Sequence, residues 1–380
     1  PASENGIKFI DHEGIKLSEA QEAAIEALLE QAPPEVPELD TKAEDASHLA
    51  KEYEQDLLKN VPGLDLGGMT ILLDCANGAN SFIAPRVLRG LGANLIALNT
   101  TPDGVNINDH AGSEFVRSEP HLFAQKIREN QADIGIAFDG DADRVILFDE
   151  QGRMVDGDGM LAIAADDLHA RGVLLGDALV TTIMANGSLH GFTERRGFSL
   201  TETPVGDKYV TEKLLALAAQ GKPGQVGVGG EQSGHIVLLD QDHHTGDGLR
   251  TALFILQVLR RVPGTKLSDL TGQLDKFPQL IASCNVGSKP KLETLPRLSA
   301  ALENLKHELP GLVRQNARYS GTEPKFRLML ETDTRHTPAD VARVAWRICD
   351  LIQAETGTPS GAKVEVLNVS DGGLMPRPTV

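Results

Sequence analysis

The segment Asp139-Gly140-Asp141-Ala142-Asp143-Arg144 places three carboxylates at alternate positions between two apolar runs, Ile134–Phe138 and Val145–Phe148. In an extended or tightly looped backbone such side chains fall on one side, so their oxygens can converge on one hard cation. Without a counter-ion their mutual repulsion is costly. The same aspartates with Glu150 also fit the ligand positions of an EF-hand calcium loop. Two features count against calcium: the position that needs glycine for the sharp turn is Arg144, and the flanks read as strands rather than helices. Three carboxylates with room for water and a phosphate oxygen suit Mg²⁺, and Arg144 then reads as a phosphate clamp beside the metal. A solvated acidic turn between two strands is the plainer alternative.

Two further stretches could grip a sugar phosphate. Glu231, Ser233 and His235 alternate in Gly230-Glu231-Gln232-Ser233-Gly234-His235, a spacing that puts three hydrogen-bonding side chains on one face, able to hold neighbouring hydroxyls of a sugar ring. A polar hairpin with a solvent-facing row has the same pattern. Near the C-terminus, Arg318-Tyr319-Ser320-Gly321-Thr322-Glu323-Pro324 leads into Phe326-Arg327. Backbone amides near a glycine, two hydroxyls and two arginines are what a dianionic phosphate needs. Asp207 and Lys208 open a helix after Pro204-Val205-Gly206, which is either an anion site or a turn and cap. His243 and His244 are adjacent and point apart on an extended chain, with no third ligand at metal spacing, and read as loop residues.

Taken in chain order, these motifs are similar to those of the α-D-phosphohexomutase family. Asp-Gly-Asp-Ala-Asp-Arg resembles its metal loop, Glu-Gln-Ser-Gly-His its sugar-specificity loop, and residues 318–327 its phosphate-binding loop. The stretch 102–108, Pro-Asp-Gly-Val-Asn-Ile-Asn, with Gly112-Ser113, is more similar to the phosphoglucosamine mutase branch than to the phosphomannomutase or phosphoglucomutase branches. The resemblance runs from Asn5 to about Glu355. It implies an isomerase that interconverts glucosamine 6-phosphate and glucosamine 1-phosphate for amino-sugar nucleotide and cell-wall precursor synthesis. A phosphoserine would donate to the sugar, a bisphosphorylated sugar would be intermediate and activator, and Mg²⁺ would sit on Asp139, Asp141 and Asp143. Glu231 and Ser233 would bind ring hydroxyls, Arg318, Ser320, Gly321, Thr322 and Arg327 the remote phosphate, and Asp207 and Lys208 substrate. Lys8, in Asn5-Gly6-Ile7-Lys8-Phe9, would act in proton transfer or charge stabilisation, and His235 would relay a proton or hold its loop. In the family that stretch follows a Ser-His-Asn-Pro loop bearing the phosphoserine. If Pro1 is that proline, the chain begins just after its nucleophile and is expected to be inactive alone. A phosphoglucomutase or phosphomannomutase, or a non-catalytic sugar-phosphate binding protein, remain as alternatives.

The elements that must position these motifs alternate in type. Strand patterns at 69–74, 94–99 and 133–138 and helical patterns at 83–91 and 114–129 make an α/β unit with a mostly parallel sheet. A second round follows, with helices at 159–170 and 188–196, strands at 178–184, 199–204, 225–229 and 236–239, and a helix at 248–261 carrying Leu249, Leu253, Leu256 and Leu259. The last part has a helix near 267–274, a strand at 281–286, a helix at 295–309, a strand pair around the phosphate loop and a helix at 338–355. Residues 361–380 read as a partly disordered tail. The expected fold is multidomain α/β: repeated α/β domains with mixed sheets plus a C-terminal α+β domain. The divisions are a remnant of a first domain at 1–45, a metal domain at 46–156, a sugar domain at 157–265 and a phosphate domain at 266–380.

Composition agrees with a soluble globular protein: 41% of the 380 residues are hydrophobic and 24% charged. A formal net charge of −18 disfavours nucleic acid and anionic membranes as partners, so a phosphate site must concentrate positive charge locally. Cys75, Cys284 and Cys349 form neither a disulfide framework nor a zinc site, and with no signal-peptide pattern they point to the cytoplasm. A monomer or homodimer that binds a hexosamine phosphate is expected.

Overall fold

The computed structural model describes residues 2, 9–12, 14–31, 45–320, 323–359 and 361–378. Lys8, Gly321 and Thr322 lie outside these residues. Helix α1 (Glu19–Leu29) starts at a capping box, in which Ser18 N–H donates to Gln21 Oε1 at 2.9 Å and Ser18 Oγ accepts from Gln21 N–H at 3.4 Å. Helix α2 (Ser47–Asn60) leads into the first sheet.

That sheet contains β1 (Thr70–Asp74), β2 (Asn94–Leu98), β3 (Ile134–Phe138), β4 (Val145–Phe148) and β5 (Met154–Val155) in the order β2-β1-β3-β4-β5. The first three strands are parallel; β4 and β5 add antiparallel to the edge. Every side chain of β3 and β4 is buried, as their unbroken apolar runs require when helices cover both faces. Helix α3 (Ile83–Gly90) lies between β1 and β2. The single helix expected over 114–129 is two, α4 (Gly112–Ser118) and α5 (Pro120–Asn130). Pro120 is the reason: it lacks an N–H, disfavours helical backbone at Glu119 and starts a new helix in the first position.

The second unit repeats the wiring. After α6 (Gly157–Ala170) come β6 (Leu174–Thr182), α7 (Ser188–Arg196), β7 (Ser199–Thr203), α8 (Asp207–Ala218), β8 (Val226–Gly230), β9 (Ile236–Leu239) and α9 (Gly248–Arg261). The sheet order is β7-β6-β8-β9, with three parallel strands and an antiparallel edge, the same order as β2-β1-β3-β4. Helices α6 and α9 pack between the two sheets, so Leu73, Ile136 and Val145 share one core with Met160, Leu179, Leu253 and Leu256. The four leucines singled out on α9 are all buried, each contributing about 1.5–3 kcal/mol relative to exposure.

The C-terminal sheet is antiparallel. Helix α10 (Leu267–Thr271) precedes β10 (Gln279–Asn285), α11 (Pro296–Glu308), β11 (Leu312–Tyr319), β12 (Lys325–Thr332), α12 (Pro338–Glu355) and β13 (Val364–Asn368). The strand order is β11-β12-β10-β13, with α11 and α12 on its apolar face. The expected tail is thus partly a strand: β13 fills the open edge of β10, and Gly373 N–H then donates to Arg117 O at 2.8 Å. The short strand carries little signal by itself; the unpaired edge of β10 and the core under Val366 give it a place. No helix among the described residues is long and apolar enough to cross a membrane.

Candidate active site

Strand β3 delivers Asp139 at its C-terminal end, and the return strand β4 begins after Arg144. Between them Ala142 turns the chain with a φ of 63°, and one oxygen from each of Asp139, Asp141 and Asp143 lies within 4.8 Å of the others. Burial first, then the charges of Asp143 and Asp141, push the Asp139 carboxyl up to about 8. This is the electrostatic signature of a carboxylate cluster that a divalent cation would neutralise, and three oxygens with open positions fit Mg²⁺. Glu150 does not join them: its Oε1 accepts from Ser268 Oγ at 2.6 Å, which removes the twelfth-position ligand of the calcium reading.

Neighbouring loops hold this turn in place. The loop after β1 packs against it, Ala79 N–H donating to Gly140 O at 2.8 Å, and a Cβ on Gly78 would collide with that carbonyl. On the other side Val145 N–H donates to Gly234 O at 3.1 Å, and Arg144 bridges to His235. Gly234 has a φ of 93°, and a Cβ there would strike Val145 O. The Glu231–His235 loop and the acidic turn are therefore joined through backbone.

A cleft of about 590 Å³ opens beside these loops, within the usual size of a small-ligand site. Glu231 and Ser233 line it from the second unit, Arg144 and Arg117 from the first, and Arg318 and Arg327 from the C-terminal sheet. Ser233 Oγ and Arg144 Nε are buried polar atoms without a hydrogen-bond partner. Such atoms are costly unless a ligand satisfies them. Arg144 N–H donates to Asp139 Oδ1 at 3.0 Å, and its guanidinium lies 3.5 Å from Glu114 and 3.9 Å from both Asp139 and Asp143. Burial opposes its charge, but Glu114, Asp139, Asp143 and Glu231 outweigh burial and raise its pKa.

Across the cleft, Arg318 on β11 and Arg327 on β12 are directly opposed. Burial first, and then the charge of Arg327, lower the Arg318 pKa. Two like charges on one polar patch favour a dianion between them. Ser320 follows β11, its Oγ accepting from Glu323 N–H at 3.3 Å while Lys289 Nζ donates to Ser320 O at 2.7 Å. Tyr319 turns into the C-terminal core, edge-on to Phe326 with centroids 6.2 Å apart.

The other expected residues lie apart from this cleft. His235 is 3% exposed and stands between two carboxylates, Nδ1 3.4 Å from Asp143 and Nε2 3.3 Å from Asp207. Asp207, at the start of α8, also binds Lys16; burial works against its charge, yet Lys16 and His235 hold its pKa below the ordinary value. Lys208 pairs with Glu19 at 3.3 Å and Glu22 at 3.6 Å. These two border a smaller cavity with Asp11, Lys16 and His244, and it is Val205 of the same turn that reaches the main cleft. His243 makes a structural cluster instead, its Nε2 2.7 Å from Asp56 and its ring bonded to Arg250.

Sequence reasoning missed Arg117, Ser118, Lys325 and Asn316 on the cleft wall. Lys325, Arg327 and Met329 alternate along β12, so the strand period was a usable signal for Lys325. Arg117 has none, because tertiary packing alone brings α4 to the cleft.

Paired parallel-then-antiparallel sheets with an acidic turn, the Glu231–Ser233 loop and an arginine pair around one cleft are the architecture of the phosphohexomutase class. Models of the phosphoglucomutase/phosphomannomutase alpha/beta/alpha domains II and III match residues 44–152 and 156–277. The chain belongs to the phosphohexomutase family, in its phosphoglucosamine mutase branch. Phosphoglucosamine mutase of Symbiobacterium thermophilum is 41% identical over 361 residues, covering 93% of this chain and 76% of that protein. The enzyme of Staphylococcus haemolyticus is 37% identical over 362 residues, covering 94% and 76%. Among solved structures, a phosphoglucomutase/phosphomannomutase family protein from Burkholderia thailandensis shares the fold with a TM-score of 0.59 at 22% identity, over 83% of this chain and 66% of that one. An N-acetylglucosamine-phosphate mutase in a substrate complex shares it with a TM-score of 0.58 at 19% identity, over 80% and 64%. The chain thus spans about three quarters of the curated relatives and about two thirds of these solved chains.

Proposed function

We propose that this protein is an isomerase that interconverts glucosamine 6-phosphate and glucosamine 1-phosphate in the cytoplasm, as a monomer or homodimer. The observation that carries the reading is the cleft bordered at once by Glu231 and Ser233, by Arg144 beside the acidic turn, and by Arg318 and Arg327. The divisions near 46–156, 157–265 and 266–380 belong to this reading, each part giving one of these elements.

Phosphoryl transfer asks the protein mainly for positioning and charge stabilisation. In the reaction the family resemblance implies, a phosphoserine gives its phosphoryl group to the free position of the sugar phosphate, leaving the serine hydroxyl and a bisphosphorylated sugar. The sugar turns over, its other phosphoryl group returns to serine, and the isomeric monophosphate leaves. Asp139, Asp141 and Asp143 would hold Mg²⁺, which when bound supplies positive charge to the transferring group. Arg144 grips an oxygen of that phosphate from the side. Glu231 and Ser233 accept from and donate to ring hydroxyls, which fixes the sugar in either orientation. Arg318, Ser320, Gly321, Thr322 and Arg327 hold the phosphate that is not reacting. Lys8 assists proton transfer or steadies charge, Asp207 braces His235 from the neighbouring cavity that Lys208 also borders, and His235 positions the sugar loop against the acidic turn or relays a proton.

The test is turnover by the protein isolated from its own cells, with Mg²⁺ and a trace of bisphosphorylated sugar, on glucosamine 6-phosphate, glucose 6-phosphate and mannose 6-phosphate. The reading expects the highest kcat/KM on glucosamine 6-phosphate. Preference for either of the other sugars would transfer the protein to a sister branch, and binding without a phosphoenzyme would leave a sugar-phosphate binding protein.

A further inference from the structure

Within the sugar loop, Glu231, Gln232 and Ser233 all border the cleft, but the Gln232 amide is committed to buried protein partners. Gln232 is 5% exposed, and its Nε2 donates to Asp158 Oδ2 at 3.0 Å and to Gln279 Oε1 at 2.8 Å. Asp158 belongs to α6, and its Oδ2 also accepts from Asn186 N–H at 2.9 Å. Gln279, fully buried, is the first residue of β10, where the chain enters the C-terminal sheet. Its own Nε2 donates to Met184 O at 3.1 Å. Just before it, Asn186 clasps the backbone of Phe277 with two bonds, at 2.8 and 3.0 Å. Farther out, Glu331 on β12 accepts from Gly187 N–H at 3.0 Å and pairs with Arg314.

This buried network has a consequence for the cleft. Along β10, Ser283 lies four residues beyond Gln279 and is paired in register with Arg327. Four residues of strand, roughly 13 Å at ~3.3 Å each, therefore separate the Gln232–Gln279 bond from the level of the phosphate-gripping arginine. We propose that Gln232 is a positioning residue that fixes the span between the sugar loop and the arginine pair. A hexosamine phosphate is then bound as a two-point ligand, its ring on Glu231 and Ser233 and its phosphate on Arg318 and Arg327. Holding two binding points at a set separation raises the effective concentration of the second once the first is engaged. Because this rests on the proposed hexosamine-phosphate reading, the test separates the two.

Gln232→Ala, Gln279→Ala and the double variant of the full chain are compared by calorimetry with glucosamine 6-phosphate and with inorganic phosphate, and by ligand-free hydrogen exchange across residues 276–285. Each single change is expected to weaken glucosamine 6-phosphate binding about tenfold, the double variant no more than either, with inorganic phosphate unaffected. Exchange in 276–285 rises in all three. Loss of thermal stability with an unchanged ratio of the two Kd values, or additive effects of the two changes, would overturn the inference, as would unaltered exchange. If Gln232→Ala does not fold, Gln279→Ala breaks the same bond from the other side. Wild-type protein that binds glucosamine 6-phosphate no more tightly than inorganic phosphate would sink the functional reading, while the exchange measurement still decides whether the tie holds the entry to β10.

Discussion

Arg318 and Arg327 stand in register on neighbouring antiparallel strands, both on the cleft wall, with the pKa of Arg318 lowered by burial and by its neighbour's charge. The fold holds two like charges together with Glu323 as the nearby counter-charge, 3.0 Å from Arg327. Such an arrangement costs stability and is repaid when an anion binds. Arg318→Met is therefore expected to leave the thermal midpoint unchanged or slightly higher, while weakening glucosamine 6-phosphate by about ten- to a hundredfold, the range for a lost charge-assisted bond. Thermal scans and calorimetry on the same preparation check both halves.

The acidic turn makes the opposite demand. Asp141→Asn removes one of three crowded carboxylates, so the metal-free variant should melt no lower than wild type. Added Mg²⁺ should raise the wild-type midpoint by mass action and leave that of the variant almost unmoved. Melting curves over a Mg²⁺ series, with a chelator as baseline, give the comparison; an equal rise in both proteins would place the cation elsewhere.

Gly234 joins two loops under strain that only glycine tolerates, with a φ of 93° and Val145 O in the path of a Cβ. Gly234→Ala should cost about 2 kcal/mol or more of stability and also weaken sugar-phosphate binding, because the loop carrying Ser233 must shift. Denaturant titration and calorimetry read the two effects.

Asp158 gives a pH dependence. Burial first, and the charge of Asp156 second, raise its carboxyl from 3.8 to about 7. Folding therefore favours its protonated form: the contribution is fully present below the unfolded value and is lost as pH rises through about 7. Stability should fall between about pH 4 and pH 7 by this route, and Asp158→Asn should flatten that slope; midpoints measured across the range test it, and an unchanged slope would contradict the assignment.

Most of the site was legible because its parts are local. Asp139, Asp141 and Asp143 sit within one turn, and Glu231 and Ser233 within one loop, so spacing alone predicted a shared face. The repeated sheet was legible because buried parallel strands require unbroken apolar runs such as 134–138. What was not legible was set by distant partners. Asp207 and Lys208 have the look of an anion site, yet Lys16 and Glu19, nearly 200 positions away in the chain, engage them. Arg117 reaches the cleft only through the packing of α4, and β13 exists because β10 has a free edge. The break at Pro120 was available in the sequence and was overridden by the helical periodicity around it.

The central claim is that one cleft holds a hexosamine phosphate in either orientation, with the arginine pair taking whichever phosphate is not reacting. Competitive calorimetry of the full chain with Mg²⁺, titrating glucosamine 1-phosphate into protein saturated with glucosamine 6-phosphate, tests it most directly. The account predicts full displacement at one site, with Kd values for the two isomers within about tenfold and both weakened by Arg318→Met. Independent binding of the two isomers, or binding of one alone, would contradict it.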